Sequence, residues 1–278
     1  MPTDLNSFTL NPYLAVVAGA FGLAFGSFLN VCIYRIPRDL SVVTPRSFCP
    51  ECGQPIAWYD NLPLLSYALL RGSSRCCAKP IGIRYPIVEC TSASAFVAVA
   101  LRYGWTAAAL KWIIFEAILI VLFWTDLEER ILPDELTLGG TALGLILAFF
   151  VQMPSFLGEM FVPVWQPAWR SLLNAALGAT LLAAPTWLLA IVYERVRNRE
   201  GLGLGDVKLL ALLGVFLGVE QGIAALLVGA VAGSIIGIIY ISVKGKSAST
   251  YELPFGSFLC AGAALIALFG HVGPAFGK

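Results

Sequence analysis

Apolar residues run through this chain in long blocks separated by short polar stretches, and the blocks are too long to be strands. Eight of them reach or approach the roughly 20 residues that cross a bilayer as a helix. They lie at about 12–34, 86–104, 107–125, 135–153, 171–193, 207–220, 222–243 and 256–272. The blocks at 207–220 and 256–272 are short and interrupted by glycine, which keeps a seven-span count open. The pattern predicts an all-α polytopic membrane protein of about eight transmembrane helices. A small polar module separates the first two. The expected organisation is a first helix at 1–34, a Cys-containing module at 35–85, and a transmembrane core at 86–278.

Composition supports this reading. Of 278 residues, 58% are apolar and only 13% charged, with a mean hydropathy of +0.81. A soluble domain is nearer half apolar and a quarter charged. The first span has no Lys or Arg before it and runs into Arg35-Ile36-Pro37-Arg38, as a retained helix does and a cleaved signal does not. With eight spans, fourteen of the eighteen Lys and Arg fall in loops on one side, seven of them in 35–85. The positive-inside rule places that side in the cytoplasm and both termini outside. The net charge of +1 carries no signal for nucleic acid, and membrane lipid is the expected surroundings.

Within the first span, Gly19, Gly22 and Gly26 recur at spacings of three and four, with Ser27 and Asn30 following. Small residues on one face predict close helix packing, and Asn30 is placed to hydrogen-bond across it or to support a site. The module holds Cys49-Pro50-Glu51-Cys52 and then Cys76-Cys77. Two such pairs approach a zinc-ribbon pattern, but Ser74 stands where regular spacing to Cys77 would place a cysteine. A zinc site from Cys49, Cys52, Cys76 and Cys77 and a degenerate site of reduced thiols both remain open. Cys32, Cys90 and Cys260 lie in apolar spans and read as packing residues. Glu89, expected in the first turn of the second span, suits either the helix dipole or a substrate contact.

The sole histidine, His271, lies at the far end, which removes Ser–His and Cys–His catalysis. A hydrolase built from the remainder would use carboxylates. Asp126 and Asp206 each sit where an apolar span meets a polar loop, and acids at such places are functional candidates. Two close carboxylates cannot both ionise, so one holds a proton while the other activates water. Gly201, Gly203 and Gly205 precede Asp206 and would let a substrate backbone lie close. Helix capping is the plainer reading of Asp206, and of Asp134 after Pro133. Glu128, Glu129, Asp134 and Glu135 fit either attraction of a basic peptide or ordinary loop solvation.

In combination, Gly26-Ser27-Phe28-Leu29-Asn30-Val31, the Cys-Pro-x-Cys module with Asp60-Asn61-Leu62-Pro63-Leu64-Leu65-Ser66-Tyr67, Arg84-Tyr85-Pro86, Asp126 with Leu132-Pro133-Asp134, and Gly203-Leu204-Gly205-Asp206-Val207-Lys208 resemble the bacterial type IV prepilin peptidases. The resemblance runs from about residue 20 to 260. It implies a GxGD-type intramembrane aspartic protease in the cell inner membrane, with Asp126 and Asp206 catalytic and the active site facing the cytoplasm. Its substrates would be type IV prepilins and pseudopilins, cut after a glycine that ends a basic leader. The resemblance further implies N-methylation of the new N-terminus from S-adenosylmethionine, an activity tied to the cytoplasmic module. Two departures matter: Ser74 breaks the second cysteine pair, and Ser257 stands where the family often has proline. A peptidase without methyltransferase activity, a pilin-binding scaffold, and an ion- or proton-coupled transporter using Glu89, Glu116, Asp126 and Asp206 are the alternatives.

Overall fold

The computed structural model describes residues 11–152, 166–197, 203–244 and 253–270. Its long elements are helices: α1 (Pro12–Arg35), α3 (Arg84–Tyr103), α4 (Ala107–Glu129), α5 (Asp134–Phe150), α6 (Pro167–Arg197), α7 (Leu204–Lys244) and α8 (Phe255–Phe269), with a five-residue helix α2 (Leu65–Leu69) between α1 and α3. Among the described residues, α1, α4, α6 and α7 are long and apolar enough to cross a membrane, and α8 is a shorter apolar helix. The chain is therefore an all-helical, multi-pass membrane protein. The apolar blocks at 207–220 and 222–243 are two halves of α7, broken at Gly218, whose φ of 75° and ψ of −176° interrupt the helix. His271, Gly201 and Trp165 lie outside the described residues.

Two compact units divide the chain, Met1–Val121 and Leu122–Lys278. In the first, Asn11 caps α1 by accepting from the Tyr13 and Leu14 N–H groups, with Pro12 opening the helix. Gly22 and Gly26 then lie on the backbone of α3. A Cβ at Gly22 would come within 2.6 Å of Ala93 Cα, and one at Gly26 within 2.7 Å of Glu89 Cα. The predicted close approach is realised. Asn30 adds a polar tie, its amide nitrogen donating to the carbonyls of Gly26 (3.2 Å) and Tyr85 (3.1 Å).

The second unit is organised around α7. Its first half buries Leu209, Leu210, Leu212, Leu213, Val215 and Phe216, an all-round burial that marks a central helix. Lipid is as apolar as leucine, so contact area alone does not bring such helices together; small residues that permit intimate packing do. Gly144 of α5 faces Val215 and Phe216, Gly178 of α6 meets the backbone of Gly214, and Gly229 of α7 meets Phe258 and Leu259 of α8. On α6 the contact stripe is Ser171, Asn174, Ala175, Gly178 and Leu182, at helical spacing. Asn174 Oδ1 accepts from the Val219 N–H at 3.5 Å, beside the break at Gly218. This gives a partner to a backbone donor that the interrupted helix would otherwise leave bare.

Candidate functional site

Asp126 ends a helix and Asp206 begins one. Asp126 lies in the last turn of α4, its carbonyl accepting from the Arg130 N–H at 3.1 Å. A carboxylate there faces the negative end of the helix dipole, so it needs support from elsewhere. That support comes from the start of α8. The Ser257 N–H donates to Asp126 Oδ2 at 2.6 Å, and the Ser257 hydroxyl lies 2.8 Å from the same oxygen. Asp126 is only 6% exposed and Ser257 only 1%. Gly256 makes the approach possible, because a Cβ there would sit 3.1 Å from the Asp126 carboxyl carbon.

Asp206 occupies the first turn of α7, its N–H donating to the Gly203 carbonyl at 3.1 Å. It is therefore inside the helix rather than its cap, and the dipole favours its charge. Leu132 joins the two sides. A Cβ on Gly205 would lie 3.3 Å from Leu132, and one on Gly256 would lie 3.1 Å from it. Gly205 is thus a packing position more than an open approach. Gly203 is the freer of the two, with no atom nearer a Cβ than the Gly205 nitrogen at 4.0 Å. The two aspartates thus flank one side chain, Asp126 through Gly256 against its carboxyl and Asp206 through the adjoining Gly205. Two carboxylates in mutual reach, one buried and one half-buried, can divide acid and base roles between them.

Of the flanking acids, Asp134 has a partner of its own. Pro133, not Asp134, takes the cap position of α5; Asp134 is in its first turn and pairs with Lys208 Nζ at 2.6 and 2.9 Å. This bridge links the starts of α5 and α7. Glu128, Asp134 and Glu135 are exposed.

In the first unit, Glu89 is buried and lies in the second turn of α3, because the helix begins at Arg84. The dipole reading therefore fails. Its Oε2 accepts from the Leu64 N–H at 2.8 Å, fixing a residue whose φ of 57° few side chains tolerate. Asn30 is 2% exposed and its Oδ1 has no donor. Both residues line a cleft of about 440 Å³, with Tyr59, Tyr67 and Tyr85 among its walls. Cys90 is exposed, contrary to the packing role expected of it, whereas Cys32 and Cys260 are buried.

The cysteine module contains two loops of the same design. Cys49 N–H donates to the Gln54 carbonyl and Gly53 N–H to the Cys49 carbonyl. Twenty-five residues on, Ser74 N–H donates to Lys79 and Ala78 N–H to Ser74, each bond within 2.9 Å. Phe48–Pro55 and Ser73–Pro80 bridges close the two loops, and Gly53 and Ala78 both carry positive φ. Ser74 therefore occupies the place of Cys49, and Cys52 corresponds to Cys77. Cys76, one residue off that register, supplies the fourth sulfur. All four sulfurs lie within 4.8 Å of one another, with Cys52–Cys76 at 3.3 Å and Cys49–Cys77 at 3.8 Å. Tetrahedral zinc with bonds of about 2.3 Å requires sulfurs about 3.8 Å apart, so the cluster fits such an ion. Burial opposes ionisation of Cys49, yet the N–H groups of Cys52 and Glu51 and the adjoining thiols bring it down to about 7. Thiolate is the form that binds metal. Arg75, inside the second loop, makes a two-pronged pair with Asp60 at 2.8 Å, which holds the Asp60 carboxyl below its ordinary range.

Two family models match the chain: the bacterial peptidase A24 N-terminal domain over residues 20–103, and the type IV leader peptidase family over residues 113–238. A Myxococcus xanthus protein is 37% identical over 241 residues, covering 87% of this chain and 67% of its own. Relatives from Neisseria gonorrhoeae (34% identical, 85% and 86% covered) and Pseudomonas putida (33%, 93% and 91%) are similar over comparable lengths. Each of the three is named prepilin leader peptidase/N-methyltransferase. No solved structure matches significantly.

Proposed function

Because this chain belongs to the type IV leader peptidase family, we propose that Asp126 and Asp206 are the aspartic pair with which it removes prepilin leaders. The chain is a prepilin leader peptidase and N-methyltransferase in its overall activity. One observation carries the assignment: carboxylates from opposite helix ends meet around Leu132, which packs on Gly205 beside Asp206 and on Gly256 against the buried Asp126.

The ionised member of the pair takes a proton from water as the oxygen attacks the scissile carbonyl carbon. The protonated member gives its proton to the carbonyl oxygen. Collapse of the tetrahedral intermediate breaks the C–N bond and returns a proton to the departing amine. Gly203, beside open space, would let the substrate backbone run close to Asp206, while Gly205 holds Leu132 in place. A prepilin offers a basic leader followed by an apolar helix. Cleavage at the cytoplasmic face of the inner membrane matches the charge asymmetry of the loops, in an arrangement of about eight spans. Pseudopilins share that design and would be processed alike.

For methylation we assign the cleft of the first unit. S-adenosylmethionine supplies an electrophilic methyl group that passes from sulfonium sulfur to the new N-terminal amine. Asn30 Oδ1, buried without a donor, would accept an N–H from the bound donor, and the Glu89 carboxylate suits its positive charge. The aromatic walls would pack against its flat base. Cys49, Cys52, Cys76 and Cys77 would hold zinc as a structural staple for a module too small to have much core.

The assignment is tested in detergent with a prepilin substrate, following leader loss and a methyl shift in one mass spectrum. Asp126→Asn and Asp206→Asn should each reduce cleavage by about 10³-fold or more while the protein stays folded. Normal cleavage by either variant refutes the pair.

A further inference from the structure

Both donors of Ser257 converge on one oxygen of Asp126. The N–H at 2.6 Å is one of the first-turn donors that α8 cannot satisfy internally, and the hydroxyl at 2.8 Å adds a second. The hydroxyl also lies 2.9 Å from the Phe123 carbonyl, one turn back on α4, so it joins the start of α8 to the end of α4 at the carboxylate itself. A proline at this position offers neither N–H nor hydroxyl, so an aspartate above it would lack both contacts. We infer that Ser257 is a positioning residue: it pins Oδ2 of Asp126 and thereby leaves Oδ1 as the oxygen that exchanges a proton during cleavage.

An oxygen that accepts a short N–H bond and a share of a hydroxyl proton has little room for water and little incentive to take a proton of its own. The carboxylate cannot turn about its Cβ–Cγ bond without breaking both. Gly256 fixes the distance, since its missing Cβ is what admits the N-terminus of α8 to within bonding range. The groups facing Asp126 are Asp206 from α7, Cys260 from α8 and Arg130 just beyond α4. None of them duplicates the Ser257 contact. The hydroxyl has one proton and, among the described residues, two acceptors in reach, Asp126 Oδ2 at 2.8 Å and the Phe123 carbonyl at 2.9 Å, so it is shared between the carboxylate and the α4 backbone while the N–H serves Asp126 alone.

This inference rests on Asp126 being catalytic. The experiment measures kcat and KM for leader cleavage by the full-length protein and by Ser257→Ala, Ser257→Thr and Asp126→Asn, with thermal unfolding as the check on folding. Ser257→Ala keeps the N–H and loses the hydroxyl; kcat should fall about tenfold with KM unchanged. Ser257→Thr keeps both donors and should cleave within about twofold of the native rate. Methylation of an already cleaved pilin should be unaffected in both. A native kcat for Ser257→Ala, a rise in KM alone, or failure of Thr to restore the rate overturns the role of Ser257. If Ser257→Ala does not fold, Ser257→Cys takes its place: slow cleavage beside a normal Thr variant supports the inference, and a normal rate overturns it. An active Asp126→Asn would instead overturn the aspartic pair, so the two failures are told apart.

Discussion

Replacing Gly178 with alanine adds one methyl group where the backbones of α6 and α7 touch. That Cβ would lie 2.9 Å from the carbonyl carbons of Gly214 and Gly218, and closer still to the Gly214 oxygen. Ordinary contact begins at 3.4 Å, so the two helices must part by about half an ångström or more. Every atom met is backbone, and none can rotate aside. Overpacking of this kind costs about 1–3 kcal/mol, and the rigid surroundings put it near the upper end. Alanine recovers about 1 kcal/mol of helix propensity, leaving a net loss of about 2 kcal/mol. At about 2–4 °C per kcal/mol for a chain of this class, Tm should fall by about 4–8 °C. Under the proposed assignment the displacement also reaches chemistry, because Asp206 begins the helix that Gly214 and Gly218 belong to. A misplacement of about 1 Å can cost on the order of 10²-fold, so about half of that should slow cleavage by about tenfold. Thermal unfolding by tryptophan fluorescence and cleavage rate, both in detergent, read the two effects. Gly139→Ala is the control, since a Cβ there meets nothing within 4 Å. An unchanged Tm and rate for Gly178→Ala, or equal damage from Gly139→Ala, would refute the packing argument.

Two further outcomes follow from the first unit. The purified protein should carry about one zinc per chain by elemental analysis. Cys76→Ser should lower that content, whereas Ser74→Cys should make it harder to remove by chelation; zinc retained in full by Cys76→Ser would exclude Cys76 as a ligand. Glu89→Gln should weaken binding of S-adenosylmethionine by about tenfold in calorimetry while leader cleavage continues. Unchanged binding would remove the cleft from the methyl-transfer reaction.

How much of this was legible beforehand differs by residue. Asp126 and Asp206 were visible because each carboxylate interrupts the apolar pattern beside a glycine- or proline-marked boundary. The glycines of α1 were legible for a similar reason: spacing of three and four on a span has a direct geometric meaning. Ser257 showed only as a departure from the proline common in the resembling family, with nothing to say what it touches. It is 131 residues from its partner, and one serine near the start of an apolar helix is ordinary until a carboxylate lies above it. Glu89 could be read as a helix charge or a substrate contact, but not as a clamp, since its partner is a backbone N–H set by the turn at Leu64. The cysteine spacing showed a broken motif but not its repair, because the register of the two loops depends on hydrogen bonds from Cys49 to Gln54 and from Ser74 to Lys79.

The sequence by itself determined that this is a membrane-embedded helical protein, where its apolar helices lie, and which carboxylates could do hydrolytic work. Those properties follow from local composition and periodicity, which act over one helix at a time. The division of α7 was legible as two apolar blocks, but tertiary structure alone decided that α6 covers the break at Gly218 with Asn174, that Gly205 and Gly256 close on Leu132, and that Ser257 holds Asp126. Each depends on backbones far apart in sequence approaching within a methyl group's width, and a linear pattern carries no record of which pairs do so.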